Sequence, residues 1–238
     1  MSQRVVPNRA QAVHSGIGHA SEILASSIPL VLAIYWFESL LEDPARYLAF
    51  TGPLILVCTA LLAFYEGIGK QGNPAISTIC LVTVITPITY ALTILMGAPF
   101  TTHIPQTGLL SFHLSIMAFF RAFNILGPDV GKWLPLVPFI NNLERPQTKG
   151  QFRNNTGRTG FEGPVWGTLL GAYLGAIPIP LDWDRVWQKW PITVYLGASA
   201  GLCLGTIISV FYNLSLMSTK DGNAQGTRGS SRTLKKLQ

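Results

Sequence analysis

Asp182 and Asp184 flank Trp183 in the run Pro178-Ile179-Pro180-Leu181-Asp182-Trp183-Asp184-Arg185. Two carboxylates this close could hold a cation or serve as general acid and base. A metal site needs more. No third ligand of the right type and no H-E-x-x-H spacing lies nearby. Cys58, Cys80 and Cys203 all fall in apolar runs without a C-x-x-C, which argues against zinc or a redox pair and for small buried side chains. His113 and Arg121 lie eight residues apart in a further apolar run, with Asn124 one turn beyond. Polar groups inside such runs are expensive and therefore informative. His113 reads as a hydrogen-bonded residue between helices. Arg121 either reaches the membrane interface or meets a lipid phosphate or a carboxylate such as Glu38 or Glu66. No catalytic residue, metal or other cofactor is assigned.

The elements that must position these groups are membrane helices. Of 238 residues, 48% are hydrophobic and only 12% charged, against about 25% charged in ordinary soluble domains. Mean hydropathy is +0.35. The net charge of +6 is divided among connections rather than gathered in one patch, so no nucleic-acid partner is expected. A bilayer core about 30 Å thick needs roughly 20 helical residues. Six segments qualify, at 21–41, 46–66, 75–97, 106–127, 162–180 and 191–215. The predicted fold is an all-α polytopic membrane protein, a bundle of six transmembrane helices. A leader (1–20) precedes the membrane domain (21–217), and a Gly/Ser-rich, disordered basic tail (218–238) follows it. The first segment reads as a span rather than a cleaved signal.

Charge sets the orientation. Thirteen of the 17 Lys and Arg residues fall on one side: Arg4, Arg9, Lys70, Lys132, Arg145, Lys149, Arg153, Arg158, Lys220, Arg228, Arg232, Lys235 and Lys236. Arg46, Arg185 and Lys189 fall on the other, and Arg121 lies within a span. Basic residues favour the cytosol, so both termini are expected there and the Asp182–Lys189 turn on the opposite face. The end Lys235-Lys236-Leu237-Gln238 resembles a dilysine retrieval signal, which implies a multi-pass protein of the endoplasmic reticulum membrane.

Gly163, Gly167, Gly171 and Gly175 recur every fourth residue, as do Gly197, Gly201 and Gly205. Such strips let helix backbones approach closely in lipid. They serve either the packing of the fifth span on the sixth or the docking of another membrane protein. Pro164 suits a first helical turn, and Pro178 and Pro180 stop the fifth helix. That predicts an extended Ile-Pro-Ile-Pro piece, which must be covered by protein. Asp182 then reads as an N-cap, with Asp184 in the first turn. Trp183, Trp187 and Trp190 share one face of a short interfacial helix, with Arg185 and Lys189 opposite. Pro191 opens the sixth span.

Gly-Ala-x-Pro-Ile-Pro-Leu-Asp-Trp-Asp-Arg followed by Trp-Gln-x-Trp-Pro-Ile, here from Gly171 to Ile192, resembles the signature of the PIG-F family. About 40 residues carry the resemblance, running loosely into the glycines of the sixth span. The family commonly has a proline where this chain has Val186. The resemblance implies a stabilising, non-catalytic membrane subunit of the GPI ethanolamine-phosphate transferases, paired with a large catalytic subunit in the endoplasmic reticulum. It implies partner or lipid contact at the tip residues. The alternatives are a stand-alone lipid-headgroup transferase using Asp182, Asp184, Arg185 and His113, and a lipid transporter or scramblase, although no internal repeat is evident.

Overall fold

The computed structural model of the chain describes residues 9–65, 81–99, 101–120, 122–123, 159–181 and 185–235. Among these are seven α-helices and no strand. They are α1 (Arg9–Tyr35), α2 (Phe37–Glu42), α3 (Pro44–Tyr65), α4 (Thr86–Leu95), α5 (Ile104–Ser115), α6 (Thr159–Ala176) and α7 (Ile192–Lys235). Single π-helical turns precede α4 (Leu81–Ile85) and extend α5 (Ile116–Phe120). Windows long and apolar enough to cross a bilayer lie in α3 (Pro44–Leu62) and α7 (Ile192–Ser215). Shorter apolar helices cover His19–Tyr35, Thr83–Leu95 and Ile104–Phe120.

Local chemistry sets the boundaries. The expected first span, 21–41, is bent at Trp36, where φ −108° and ψ 37° leave the helical region and divide α1 from α2. Asp43 then caps α3: its Oδ1 accepts the Arg46 N–H at 3.0 Å, and Pro44 occupies the first helical position, where an N–H is not needed. At the end of α4, Gly97 adopts φ +100°. The Ala98 N–H bonds the Thr93 carbonyl and the Gly97 N–H that of Ile94, both at 3.0 Å, the double closure that glycine permits at a helix end. α6 begins at Thr159, so Pro164 lies inside the helix rather than in its first turn. α7 continues as helix to Lys235, past residue 217, where disorder was expected.

Lipid gives helices no hydrophobic reason to associate, so packing and interhelical polar bonds must hold them. Both are present. The glycine strips of α6 and α7 face one another in antiparallel order. A Cβ on Gly167 would meet the carbonyl of Gly201, one on Gly171 that of Gly197, and one on Gly205 that of Gly163. At the far end, Gly175 lies against the Thr193 carbonyl. From Gly163 to Gly175 the strip runs about 18 Å at 1.5 Å per residue. The docking alternative for these glycines gives way to close contact within the chain. α4 and α5 are joined by a hydroxyl ladder: Thr89 to Ser115 at 2.7 Å, Thr89 to the Ser111 carbonyl at 3.1 Å, and Thr93 to Ser111 at 3.2 Å. The main apolar cluster gathers Leu40, Leu48, Leu110, Ile192 and Tyr195 from four helices.

Candidate functional site

Three prolines in fourteen residues leave the connection from α6 to α7 short of backbone donors, because proline has no N–H. Pro178 and Pro180 do stop the helix, which ends at Ala176. The following piece is coiled rather than extended. Ile177 bonds back to Leu174, Ile179 to Ala176 and Leu181 to Pro178, at 3.2–3.3 Å. Gln188 then closes the turn. Its Nε2 donates to the Pro178 carbonyl at 2.8 Å and the Leu181 carbonyl at 2.7 Å, while its Oε1 accepts the Arg185 N–H at 2.9 Å. The side chain is buried and uses both its donors and its acceptor, as a buried amide must.

Of the interfacial helix expected over 183–190, the described residues 185–190 hold one 3-10 turn, Val186–Gln188. Lys189 is already extended (φ −59°, ψ 135°). Pro191 disfavours the helical region for the residue before it, and the Gln188 amide holds Arg185 out of the helix. Trp187 and Trp190 therefore share no helical face. Trp190 turns inward instead: it packs on the main apolar cluster, and its Nε1–H donates to Thr107 Oγ1 of α5 at 3.0 Å. Arg185, Lys189 and Pro180 are exposed, Pro178 and Trp187 half-buried. Arg121, Asp182, Trp183, Asp184 and Lys236 lie outside the described residues, as does the side chain of Lys235. Among the described residues no three His, Cys, Asp or Glu side chains gather as a metal would require.

α5 links this turn to the bundle interior. His113 is fully buried. Its Nδ1 lies 2.9 Å from the Leu109 carbonyl, which can only accept, so Nδ1 carries the proton. Nε2 is then an acceptor 3.1 Å from the Thr51 hydroxyl of α3, whose single proton it shares with the Tyr47 carbonyl at 2.9 Å. The ring stands edge-to-face with Tyr195 of α7, centroids 5.3 Å apart, and Tyr195 likewise with Tyr47 of α3 at 5.8 Å. Tyr195 Oη donates to the Pro29 carbonyl of α1 at 3.3 Å. Gly52 permits this approach, since a Cβ there would stand 3.0 Å from His113 Cε1. Four helices thus converge on one histidine whose two nitrogens are both engaged. That arrangement locks a bundle; it offers no free group for proton transfer.

The sequence had singled out the aspartates and tryptophans of the turn. It missed Gln188, Thr107, Thr51, Tyr47 and Tyr195. Gln188 carried one readable signal: a lone amide between tryptophans, downstream of prolines that have no N–H to donate.

The chain matches the family model described as GPI biosynthesis protein family Pig-F over residues 24–210. It is 33% identical over 216 residues to glycosylphosphatidylinositol anchor biosynthesis protein 11 of Pyricularia oryzae, covering 78% of this chain and 75% of that protein. To the protein of the same name from Yarrowia lipolytica it is 29% identical over 211 residues, 85% of this chain and 88% of the relative. A human protein named GPI ethanolamine phosphate transferase, stabilizing subunit, is 32% identical over 131 residues, 54% of this chain and 55% of its own length. No solved structure matches.

Proposed function

Because the chain belongs to the GPI biosynthesis protein family Pig-F, we propose that it serves GPI-anchor biosynthesis as a non-catalytic, stabilising membrane subunit of an ethanolamine-phosphate transferase. The observation that carries this reading is the family match, which overlaps every described helix. The geometry agrees with it: His113 and the Ser/Thr side chains of α4 and α5 are engaged with other helices of the same chain. The large catalytic subunit supplies the transfer chemistry and this chain supplies a rigid membrane scaffold.

On this reading the chain crosses the endoplasmic reticulum membrane six times, with both termini in the cytosol. The spans are α1 with α2, α3, the segments at 75–97 and 106–127, α6 and α7. Support comes from α6, which lies antiparallel along the α7 span through the glycine strips. The leader and the tail flank the membrane domain, and Lys235 and Lys236 act as the retrieval signal. The turn from Pro178 to Trp190, with Asp182, Trp183, Asp184, Arg185 and Trp187, meets the partner or the lipid surface on the lumenal face. Arg121 does so from the fourth span.

Affinity purification of the full-length chain in mild detergent, with mass spectrometry of what accompanies it, tests the assignment. A large membrane transferase should co-purify, and its level should fall in cells lacking this chain. Phosphoethanolamine transfer by the isolated chain would overturn the reading. So would labelling of Cys introduced at Lys189 from the cytosolic side.

A further inference from the structure

The junction of α2 and α3 holds a cleft of about 350 Å³ lined by Trp36, Ser39, Glu42, Asp43, Arg46 and Phe50. Its inner wall is Tyr47, 5% exposed, whose hydroxyl is buried and has no hydrogen-bond partner among the described residues. The charge around the cleft is one-sided. Glu38 and Glu42, four residues apart, share an exposed face of α2, and Asp43 follows them. One guanidinium, that of Arg46, stands against these three carboxylates. Opposite charges at the Glu42–Arg46 spacing pair on a continuous helix. Here the chain leaves the helix at Asp43 (φ −137°, ψ 87°), so Glu42 ends one helix and Arg46 lies in the first turn of the next. Among the described residues none of the four groups makes an ion pair. The patch is therefore acidic in a chain whose net charge is +6. Among the described residues its carboxylates do not gather as a metal ion would require. Trp36 and Phe50 stand edge-to-face beside them, centroids 5.9 Å apart.

We propose that this cleft docks a segment of the large catalytic subunit that presents an arginine beside exposed backbone carbonyls. The inference rests on the subunit assignment above. A guanidinium of the partner pairs with the carboxylates of α2 as a planar fork of donors, and its plane stacks on the indole of Trp36. The remaining groups of the cleft call for acceptors. Arg46 only donates, and the Tyr47 hydroxyl has a proton to give. Carbonyls of the same docked segment meet both, and a buried hydroxyl without a partner is costly until they do. A phospholipid answers the site less well, because its phosphate enters a field of three carboxylates with one cation to meet it. On the proposed topology the cleft is lumenal, on the same side as the α6–α7 turn. Two separate polar contacts then fix the orientation of the partner, which complementary charge does better than apolar area.

The test uses the full-length chain in microsomes that contain its partner. A photo-crosslinking benzoylphenylalanine is placed at Ser39, an exposed residue of the cleft. After irradiation the tagged chain is purified and the cross-linked peptide is sequenced by mass spectrometry. The expected adduct is a segment of the large transferase that contains an arginine. E38K/E42K, at two exposed positions, should lower both the adduct yield and the transferase retained in mild detergent roughly tenfold or more, as like charges across an interface do. Y47F keeps the ring and removes the hydroxyl. It should lower retention several-fold without lowering the Tm of the isolated chain, because that hydroxyl bonds no described residue. An adduct only with lipid, or only within this chain, overturns the proposal. So does unchanged retention in both variants; transferase that still co-purifies then leaves the subunit assignment standing. Absence of any transferase from the unsubstituted chain removes the assignment and the proposal with it. If E38K/E42K fails to fold, E38Q/E42Q, which removes the charge alone, decides together with Y47F.

Discussion

Gly171→Ala should destabilise the isolated chain although alanine is the better helix former. A Cβ at residue 171 would press on the Gly197 carbonyl oxygen, 2.9 Å from the Gly197 carbonyl carbon and 3.0 Å from Gly201 Cα. Ordinary carbon contacts lie at about 3.5–4.0 Å. Every neighbour is backbone, so relief requires α6 and α7 to part by roughly 0.5–1 Å. Such a gap forfeits about a quarter to a half of each atom-pair attraction of about 0.1–0.2 kcal/mol. Over about 40–60 pairs, the number one buried leucine makes, the loss is about 1–6 kcal/mol. The measured range for overpacking, about 1–3 kcal/mol, lies within it. The helix-propensity gain of Ala over Gly returns about 1 kcal/mol. The expected balance is a loss of up to about 2 kcal/mol, or a Tm lower by up to about 8 °C for a chain of this size. Gly108→Ala is the control of opposite sign. Nothing lies within 4 Å of a Cβ at that position, so only the propensity term acts and Tm should rise by about 2–4 °C. Fluorescence-detected thermal unfolding of both variants in one detergent measures the difference. Movement of both variants in the same direction would refute the strip contact. An unchanged Tm for G171A with loss of co-purifying transferase would instead make the strip a docking face.

Three further outcomes follow from the polar bonds. Gln188→Glu keeps an acceptor for the Arg185 N–H but cannot donate to the Pro178 and Leu181 carbonyls. It should cost about 1–3 kcal/mol and raise labelling of cysteines placed at 177–181, and unchanged labelling would remove Gln188 from its role. Trp190→Phe and Thr107→Val, made singly and together, should show a coupling of about 0.5 kcal/mol or more, since each removes the 3.0 Å bond between the turn and α5; strict additivity would contradict that bond. Thr51→Val deprives His113 Nε2 of its donor and should cost about 1–3 kcal/mol. The T51V/H113L pair should cost less than the sum of its members, and a full sum would contradict the Thr51–His113 hydrogen bond.

The reach of the sequence can be judged residue by residue. Helix ends with local chemistry were legible: Pro178 and Pro180 stop α6, and Gly97 falls where the third span was expected to end. The four-residue glycine period was legible as two smooth strips, because periodicity belongs to one helix. Their mutual contact was not, since the same strips serve an external neighbour equally well. The tryptophan face failed because a 3.6-residue pattern was applied to nine residues that end in proline. There Gln188 and Pro191 decide the backbone, and Trp190 follows them inward. His113 was expected to bond between helices, but its partner Thr51 lies 62 residues away, and no local pattern carries such a separation. The break of the first span at Trp36 was invisible for a different reason: hydropathy is continuous across it, and only backbone angles reveal it.

That break matters to how a stabilising subunit of this kind would present itself. The glycine strips, the α4–α5 hydroxyl ladder and the His113 cluster all close inward, so the bundle is held by contacts that lipid does not compete for. What faces outward on α3 and α7 is apolar: Phe50, Val57 and Leu61 on one, Leu204, Ile208 and Phe211 on the other. A membrane partner meeting such a surface gains shape and dispersion contacts but little direction, because acyl chains offer nearly the same. Direction must come from the ends of the bundle, where charge and indole groups are exposed: Arg185 and Lys189 at the α6–α7 turn, and Glu42, Asp43 and Arg46 at the α2–α3 junction. On the proposed topology both ends lie on the lumenal face. Rigid spacing between those two polar tips is then what the inward-closing contacts secure. Loosening the α6–α7 strip should therefore weaken partner retention even though the strip closes on the chain itself.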